Sequence, residues 1–338
     1  MMTSRRWLLP LAALALSLLV GMLFILPTGE NPLAVYGAWF EAGFSCHSGA
    51  GRCALLTALQ YATPMILSGL SAMMAFRVGL ISIGQLGQMV MGAGVTAWLV
   101  SVLPWPPLLR GVTAVCIAIS FAALWSAIPG FLRAFLHINE VITTFLMNSF
   151  ALAVVGPISF WRIPEEMQLT PLVAATKLTV ALFIALLVAL FMYLYLWRTS
   201  AGLTVRMSGQ AAYFAQYAGM KARWAVVAGM AVSGMLAGLA GALEVLGVHY
   251  RFVANFSSVD EFDGIIVSLL GQLHPLGVVL SSVLLGGLRL GALNGLQLQT
   301  AVPRELGNAV IALTMIFIAA PRFLHWRRPG HRRRDPQN

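Results

Sequence analysis

Charge is what this chain has least of: only 9% of its 338 residues are Asp, Glu, Lys or Arg, against 59% that are hydrophobic. With a mean hydropathy of +0.85, there is too little polar surface to cover a soluble globule of this size. The chain therefore reads as an integral membrane protein. Acids are scarcer than bases, 11 against 21, which leaves a formal charge of +10. Such a balance invites nucleic acid as a partner, but the cations are dispersed through the segments between apolar runs rather than gathered on one face, so nucleic acid is excluded as a partner.

Cysteine is nearly absent too. Of the three, Cys116 lies in an apolar run and reads as a small core residue. Cys46 and Cys53 bracket CHSGAGRC, a Gly-rich ring that could close as a disulfide in an oxidising compartment. A metal reading that adds His47 offers three ligands at unhelpful spacing. There is also no GxxxxGK[ST] phosphate loop, no HExxH, no GxSxG and no clustered Cys/His set. These absences predict no enzyme, no metal and no cofactor. If the protein moves a solute uphill at the expense of ATP, the ATPase is another chain.

What the chain has in abundance is long apolar runs. A bilayer core takes about 20 residues per helix, so the runs predict an all-α, polytopic transmembrane helix bundle of eight to ten spans, some short or broken, forming a single domain over 1–338. Breakers place spans near 8–27, 55–76, 79–103, 110–132, 141–161, 177–197 and 224–246, with an exterior loop from 27 to 54. The stretch 263–324 is cut by His274-Pro275 and by Gly286, Gly287, Gly291 and Gly295. It holds one crossing or three. The first run, Trp7 to Leu26, exceeds the usual apolar region of a signal peptide and reads as an uncleaved helix. With both termini on the cytoplasmic side, Arg5, Arg6, Arg77, Arg133, Arg198, Arg206, Lys221, Arg223 and the basic tail 322–338 fall inside. Arg52, Arg110, Arg162, Lys177 and Arg251 fall outside, which agrees with the positive-inside bias. The tail reads as a solvated anchor near anionic lipid.

Several segments are more polar than a plain span. Between 79 and 103 stand five glycines, Gly79, Gly84, Gly87, Gly92 and Gly94, with Ser82, Gln85 and Gln88. Irregular backbone at membrane depth is tolerated only inside protein or beside a wet cavity, so Ser82, Gln85 and Gln88 are candidates for a solute path. In NEVITTFLMN, Asn139 is an N-cap and Glu140 complements the helix dipole. Glu140, Thr144 and Asn148 share one face and reach on the order of 12 Å into the bilayer. That stripe serves interhelical hydrogen bonding or lines a path. Gly234, Gly238 and Gly241 form a packing face, and Glu244 beyond them is expected to pair with Arg251 or His249. In FDGIIVSLLGQLHPLG, Asp263 opens a short helix closed by Gly271, and Pro275 opens another. Two half-helices meeting at Gln272 to His274 would expose their ends to a cavity, and an ordinary kinked helix is the alternative. Asp263 and Gln272 join the path candidates.

The segment 198–223 differs from all of these. Arg198, Arg206, Lys221 and Arg223 carry no balancing acid, and Gly209 to Gly219 reads as a short helix exposing Tyr213, Phe214 and Tyr217. A helix of that kind on the cytoplasmic face of a membrane bundle is a docking element for a soluble partner.

FRVGLISIGQLGQ (76–88), INEVITTFLMN (138–148), QAAYFAQYAGM (210–220), SGMLAGLAGALEVLGVHYRF (233–252) and FDGIIVSLLGQLHPLG (262–277) resemble, in order, the motifs of permease subunits of bacterial ABC importers of the nucleoside and simple-sugar type, within the branched-chain amino acid/ribose-like permease superfamily. The likeness runs from about 55 to 320. It implies a multi-pass permease in the bacterial cytoplasmic membrane that moves nucleosides or related purine and pyrimidine compounds inward by alternating access. It also implies a set of partners: cytoplasmic ATP-binding subunits that hold the ATP, a second related permease, an extracytoplasmic solute-binding protein and the lipid bilayer. The resemblance makes Gln210 to Met220 the coupling helix, with Gln210, Tyr213, Phe214, Tyr217 and Gly219 at the ATPase. Asn139 to Asn148 and Asp263 to Gly271 fall near the path. Members of the family usually carry Asn and Glu where Ser82 and Leu86 stand here, and an Arg-Asn-Asn-like stretch at Gln272 to His274, so simple sugars are the alternative cargo. An ion-coupled secondary transporter would need paired intramembrane charges, which the sequence lacks apart from Glu140 and Glu244.

Overall fold

The computed structural model describes residues 4–46, 53–158, 161–173, 176–252, 262–300, 302–303, 305–313 and 316–317. Arg52, His47 and the basic tail 322–338 lie outside them. Among the described residues there is no strand longer than an isolated bridge. The helices are α1 (Ser4–Ile25), α2 (Pro32–Phe44), α3 (Ala54–Arg77), α4 (Gln85–Val102), α5 (Pro107–Leu136), α6 (Glu140–Val155), α7 (Ala181–Arg198), α8 (Ser200–Gln210), α9 (Ala212–Tyr217), α10 (Ala222–Glu244), α11 (Asp263–Leu270) and α12 (Pro275–Gly291). α10 and α12 run on as wider π-helical turns, Val245–His249 and Ala292–Leu296, and residues 305–313 are again helical.

Four of these helices are long and apolar enough to cross a membrane, and α1 with α2, bent by 115° at their junction, makes up to five. α3 is absent from that set for a physical reason. From Ala62 to Ala75 it is buried on every side, so it meets protein rather than lipid and can carry Thr63, Ser68 and Ser71. α7 is the opposite case: Phe183, Leu187, Leu190, Phe191 and Leu194 form an exposed apolar stripe that suits the acyl chains.

Glycine lets the central helices close on one another. Gly92 of α4 lies against the Gly238 backbone of α10, and Gly241 against the carbonyl of Met89. The expected packing face of α10 is thus occupied by α4 and, at Gly234, by α5. A methyl group at Gly92 would meet backbone that cannot yield. Gly92→Ala is expected to cost about 1–3 kcal/mol by overpacking, read as a lower midpoint of thermal unfolding in detergent.

Three expectations need correction. The exterior loop 27–54 contains α2, which Asn31 caps by accepting from the Leu33 amide at 3.0 Å and Pro32 opens. It is anchored to α12 by the buried Trp39, whose Nε1 donates to the Leu288 carbonyl at 2.6 Å. Residues 198–223 form two helices rather than one, with α8 preceding the short helix that was expected. Gln210 ends α8 instead of opening the next helix. Cys116 is exposed on the outer face of α5 rather than in the core. Cys46 and Cys53 are joined as a disulfide.

α11 and α12 are two helices that meet across Gly271 to His274, with Asp263 and Pro275 at their starts as expected, rather than one kinked helix. The chain reverses at Gly271 to His274 and α12 returns alongside α11: Gly271 lies against Gly277, Ser281 Oγ donates to the Val267 carbonyl at 2.7 Å, and Arg289 reaches Asp263. The result is an antiparallel helical hairpin.

Candidate functional site

One end of the bundle gathers most of the features that the sequence marked. α3, α5 and α7 finish there on Arg77, Arg133 and Arg198, each in its last helical turn, where a cation complements the helix dipole. α6 begins there at Glu140, whose carboxylate pairs with Arg133 at 3.1 Å, and Asn139 caps it by accepting from the Val141 amide at 2.9 Å.

From that end inward, the polar stripe on α6 holds the irregular backbone before α4. Thr144 accepts from the Ile83 amide at 3.2 Å and donates to the Glu140 carbonyl at 2.7 Å. Asn148 Oδ1 accepts from the Gly87 amide and Nδ2 donates to the Ile83 carbonyl, both at 2.9 Å. Gly87 is in the first turn of α4, so Asn148 supplies the acceptor that a helix start lacks. Asn148→Ala leaves both groups buried without partners and is expected to cost about 1–3 kcal/mol, measured by thermal unfolding of the detergent-solubilised protein. Deeper in, Gln88 donates to Ser126 at 3.0 Å and accepts from Ser71 at 3.4 Å, while Ser71 and Ser233 share a hydrogen bond of 2.8 Å. Four helices, α3, α4, α5 and α10, meet in that network. Ser82 bonds within its own turn, to the Gly84 amide. Gln85 Nε2 donates to the Ser82 carbonyl at 3.1 Å, and its buried Oε1 has no hydrogen-bond partner among the described residues.

Ser82, Gln85, Gln88, Thr144 and Asn148 are therefore brought together and buried. Asp263 and Gln272 are not part of that group. Asp263 is paired with Arg289 at 2.7 Å at the root of the hairpin, and Gln272 sits at its tip with φ of 57°. Glu244 pairs with His249 at 3.3 Å, as expected.

The segment 198–223 covers the same end. Thr199 caps α8 by accepting from the Gly202 amide at 3.0 Å. On α9 only Ala215 is buried, while Tyr213, Phe214 and Tyr217 are 81%, 60% and 91% exposed. Three large rings pointing away from the bundle cover no part of its core. Gly219 closes the segment in the left-handed region, at φ of 75°.

What the sequence did not reveal is how α8 is joined to the rest. Gly209 lies against the carbonyl of Arg77 and against Gly79, and Gly79 holds φ of 85°, a conformation and a closeness that a side chain at either position would oppose. Arg77 then reaches outward from that joint. Its Nε and Nη2 both donate to the Leu273 carbonyl, at 3.0 and 2.5 Å. Two guanidinium groups lie over the Trp197 ring, Arg77 at 5.1 Å and Arg206 at 5.7 Å. The His274 ring packs on the same tryptophan at 5.0 Å and on Tyr193 at 5.6 Å. Burial, and after it the Arg77 charge, hold the His274 imidazole below its ordinary value, so it stays neutral at pH 7 and adds no further positive charge to the cluster. Arg77 and Trp197 carry a weak signal in the sequence, a lone cation and an aromatic at the ends of apolar runs; nothing there connects them.

A family model described as branched-chain amino acid transport system / permease component matches residues 54–319. The chain is 34% identical to the guanosine ABC transporter permease protein NupP of Bacillus subtilis (strain 168), over 93% of each chain. It is 30% identical to the nucleoside ABC transporter permease protein NupB of Lactococcus lactis subsp. cremoris (strain MG1363), covering 94% of this chain and 91% of that one. With the glucose ABC transporter permease protein TsgB13 of Haloferax volcanii it shares 26% identity, over 95% of this chain and 89% of the other.

Proposed function

Because the chain belongs to the branched-chain amino acid transport system / permease component family, we propose that it is the membrane permease of an ATP-driven importer whose cargo is nucleosides or related purine and pyrimidine compounds. It is a multi-pass protein of the cytoplasmic membrane. One observation carries the choice of cargo: two relatives named for guanosine and nucleoside transport align with it nearly end to end at 34% and 30% identity, while the relative named for glucose stands at 26%.

In this reading α9 is the element that docks on a cytoplasmic ATP-binding subunit, and its outward rings are the contact. A second permease completes the pore, and an extracytoplasmic solute-binding protein delivers the solute to the opposite face. ATP is bound by the partner, not by this chain. ATP-driven closure of the ATPase pair pushes the α8–α9 segment and rocks the bundle between inward and outward access. Within the bundle, Gln85 is the residue we assign to the solute, since its buried amide oxygen is unpartnered while Thr144, Asn148 and Gln88 are committed to holding helices.

The assay for cargo is uptake of radiolabelled guanosine by cells expressing this chain with its ATPase, second permease and binding protein. Competition by excess adenosine, cytidine or guanine with no effect of glucose or ribose is the expected result. Inhibition by a sugar and not by nucleosides would move the chain to the sugar branch.

A further inference from the structure

We propose that Arg77 is the positioning residue through which the α8–α9 segment acts on the hairpin of α11 and α12. This rests on the reading of α9 as the docking element. The path is short and made of rigid contacts. α9 follows α8 after the single residue Ala211; α8 bears on α3 at Gly209, backbone to backbone, against the carbonyl of Arg77 itself and the Gly79 amide. From the same residue the guanidinium spans to the hairpin tip and holds the Leu273 carbonyl with two donors.

The tip is where such a hold matters. The turn after α11 places Gln272 and Leu273 both in the left-handed region, at φ of 57° and 54°. Helices commonly close on one left-handed residue, usually glycine; two in succession, neither of them glycine and one of them leucine, is a strained backbone that persists only where its surroundings impose it. Leu273 donates its amide back to the Ser268 carbonyl at 2.9 Å, and its carbonyl is the atom that Arg77 takes. Trp197, at the end of α7, lies against the Arg77 guanidinium and also receives Arg206 of α8 and His274 of the tip. Displacement of α8 therefore moves the acceptor of a strained turn, and the rest of the hairpin follows as one body because Ser281 and the Asp263–Arg289 pair tie its two arms.

The test uses the complete importer in proteoliposomes, with three readouts: the amount of ATPase subunit co-purified, ATP hydrolysis, and guanosine taken up per ATP. For Arg77→Gln the expected result is wild-type co-purification, retained basal hydrolysis and a fall of at least tenfold in guanosine per ATP. Arg77→Lys, which keeps a donor and the charge, should recover much of that ratio. Gly209→Ala, whose methyl group meets the Arg77 carbonyl and forces α8 away from α3 while leaving the guanidinium in place, should lower the ratio in the same way. In a Cys116→Ser background, spin labels at Leu203→Cys and Leu276→Cys should change separation on ATP binding, and cease to do so with Arg77→Gln. Uptake and hydrolysis falling in step, an unchanged ratio, or a label separation that responds to ATP without Arg77 would each overturn the proposal. Should Arg77→Gln fail to insert, Trp197→Ala reads the same joint by the same measures. Loss of co-purification already in the wild-type protein would instead overturn the docking role of α9.

Discussion

Replacing Tyr213, Phe214 and Tyr217 together with alanine is expected to abolish ATP-driven uptake and to release the ATPase subunit, while insertion in the membrane and thermal stability stay as in the wild type. The reasoning is one of area and location. Each ring is more than half exposed on a helix with a single buried residue, so removing it takes nothing from the core. If these rings are the centre of the docked interface, each contributes about 2 kcal/mol as a buried aromatic anchor. The three together are then worth roughly 6 kcal/mol, on the order of ten-thousandfold in affinity. Affinity capture of the ATPase on tagged permease reads the loss directly. Retained capture with lost uptake would place the rings in some step other than docking.

A comparably large effect is expected at the root of the hairpin, and it is one of stability. Asp263 is 1% exposed and pairs with Arg289 at 2.7 Å. The carboxylate joins the start of α11 to the last turn of α12, 26 residues further on. Breaking a buried pair by removing one member typically costs about 3–5 kcal/mol, whereas replacing both by apolar groups is often neutral. Asp263→Leu and Arg289→Leu alone should each lower the yield and unfolding temperature of the purified protein severely. The double variant should return most of both. A double variant as damaged as either single one would mean that the charges do more than hold the hairpin together.

These two sites differ in how far the sequence reveals them. The α9 rings were visible as aromatic residues in an otherwise polar, basic stretch, because a helix outside the bilayer has no other reason to expose them. Asp263 was visible as an acid at the head of an apolar helix, but its partner was not. The break was visible at Gly271 and His274-Pro275, but the turn that brings Arg289 back beside Asp263 has no glycine at its two left-handed positions, Gln272 and Leu273, so the reversal of direction leaves no local trace. For the same reason the sequence offers two half-helices or a kinked helix there, and not a hairpin. α3 to α7 and α10 were legible as helices because they lie in long apolar runs between breakers, although α6 ends at Val155, before Gly156-Pro157, rather than near 161. α2 has a start signal in Asn31 followed by Pro32, inside the segment expected to be an exterior loop. α8 was missed because its mixed composition, SAGLTVRMSGQ, shows no apolar run. Arg77 counted only as a marker of topology; its bonds to Leu273 depend on a tertiary approach that spacing does not encode.

The most direct measurement is guanosine uptake into proteoliposomes holding this chain with its second permease and supplied with the solute-binding protein, with and without the ATPase subunit, under ATP or under an imposed ion gradient. The reading of the chain as an ATP-driven permease coupled through α9 predicts uptake only when ATP and the ATPase are both present, unaffected by ionophores and lost in the triple alanine variant. Uptake without the ATPase, driven by a sodium or proton gradient and abolished by an ionophore, would contradict it.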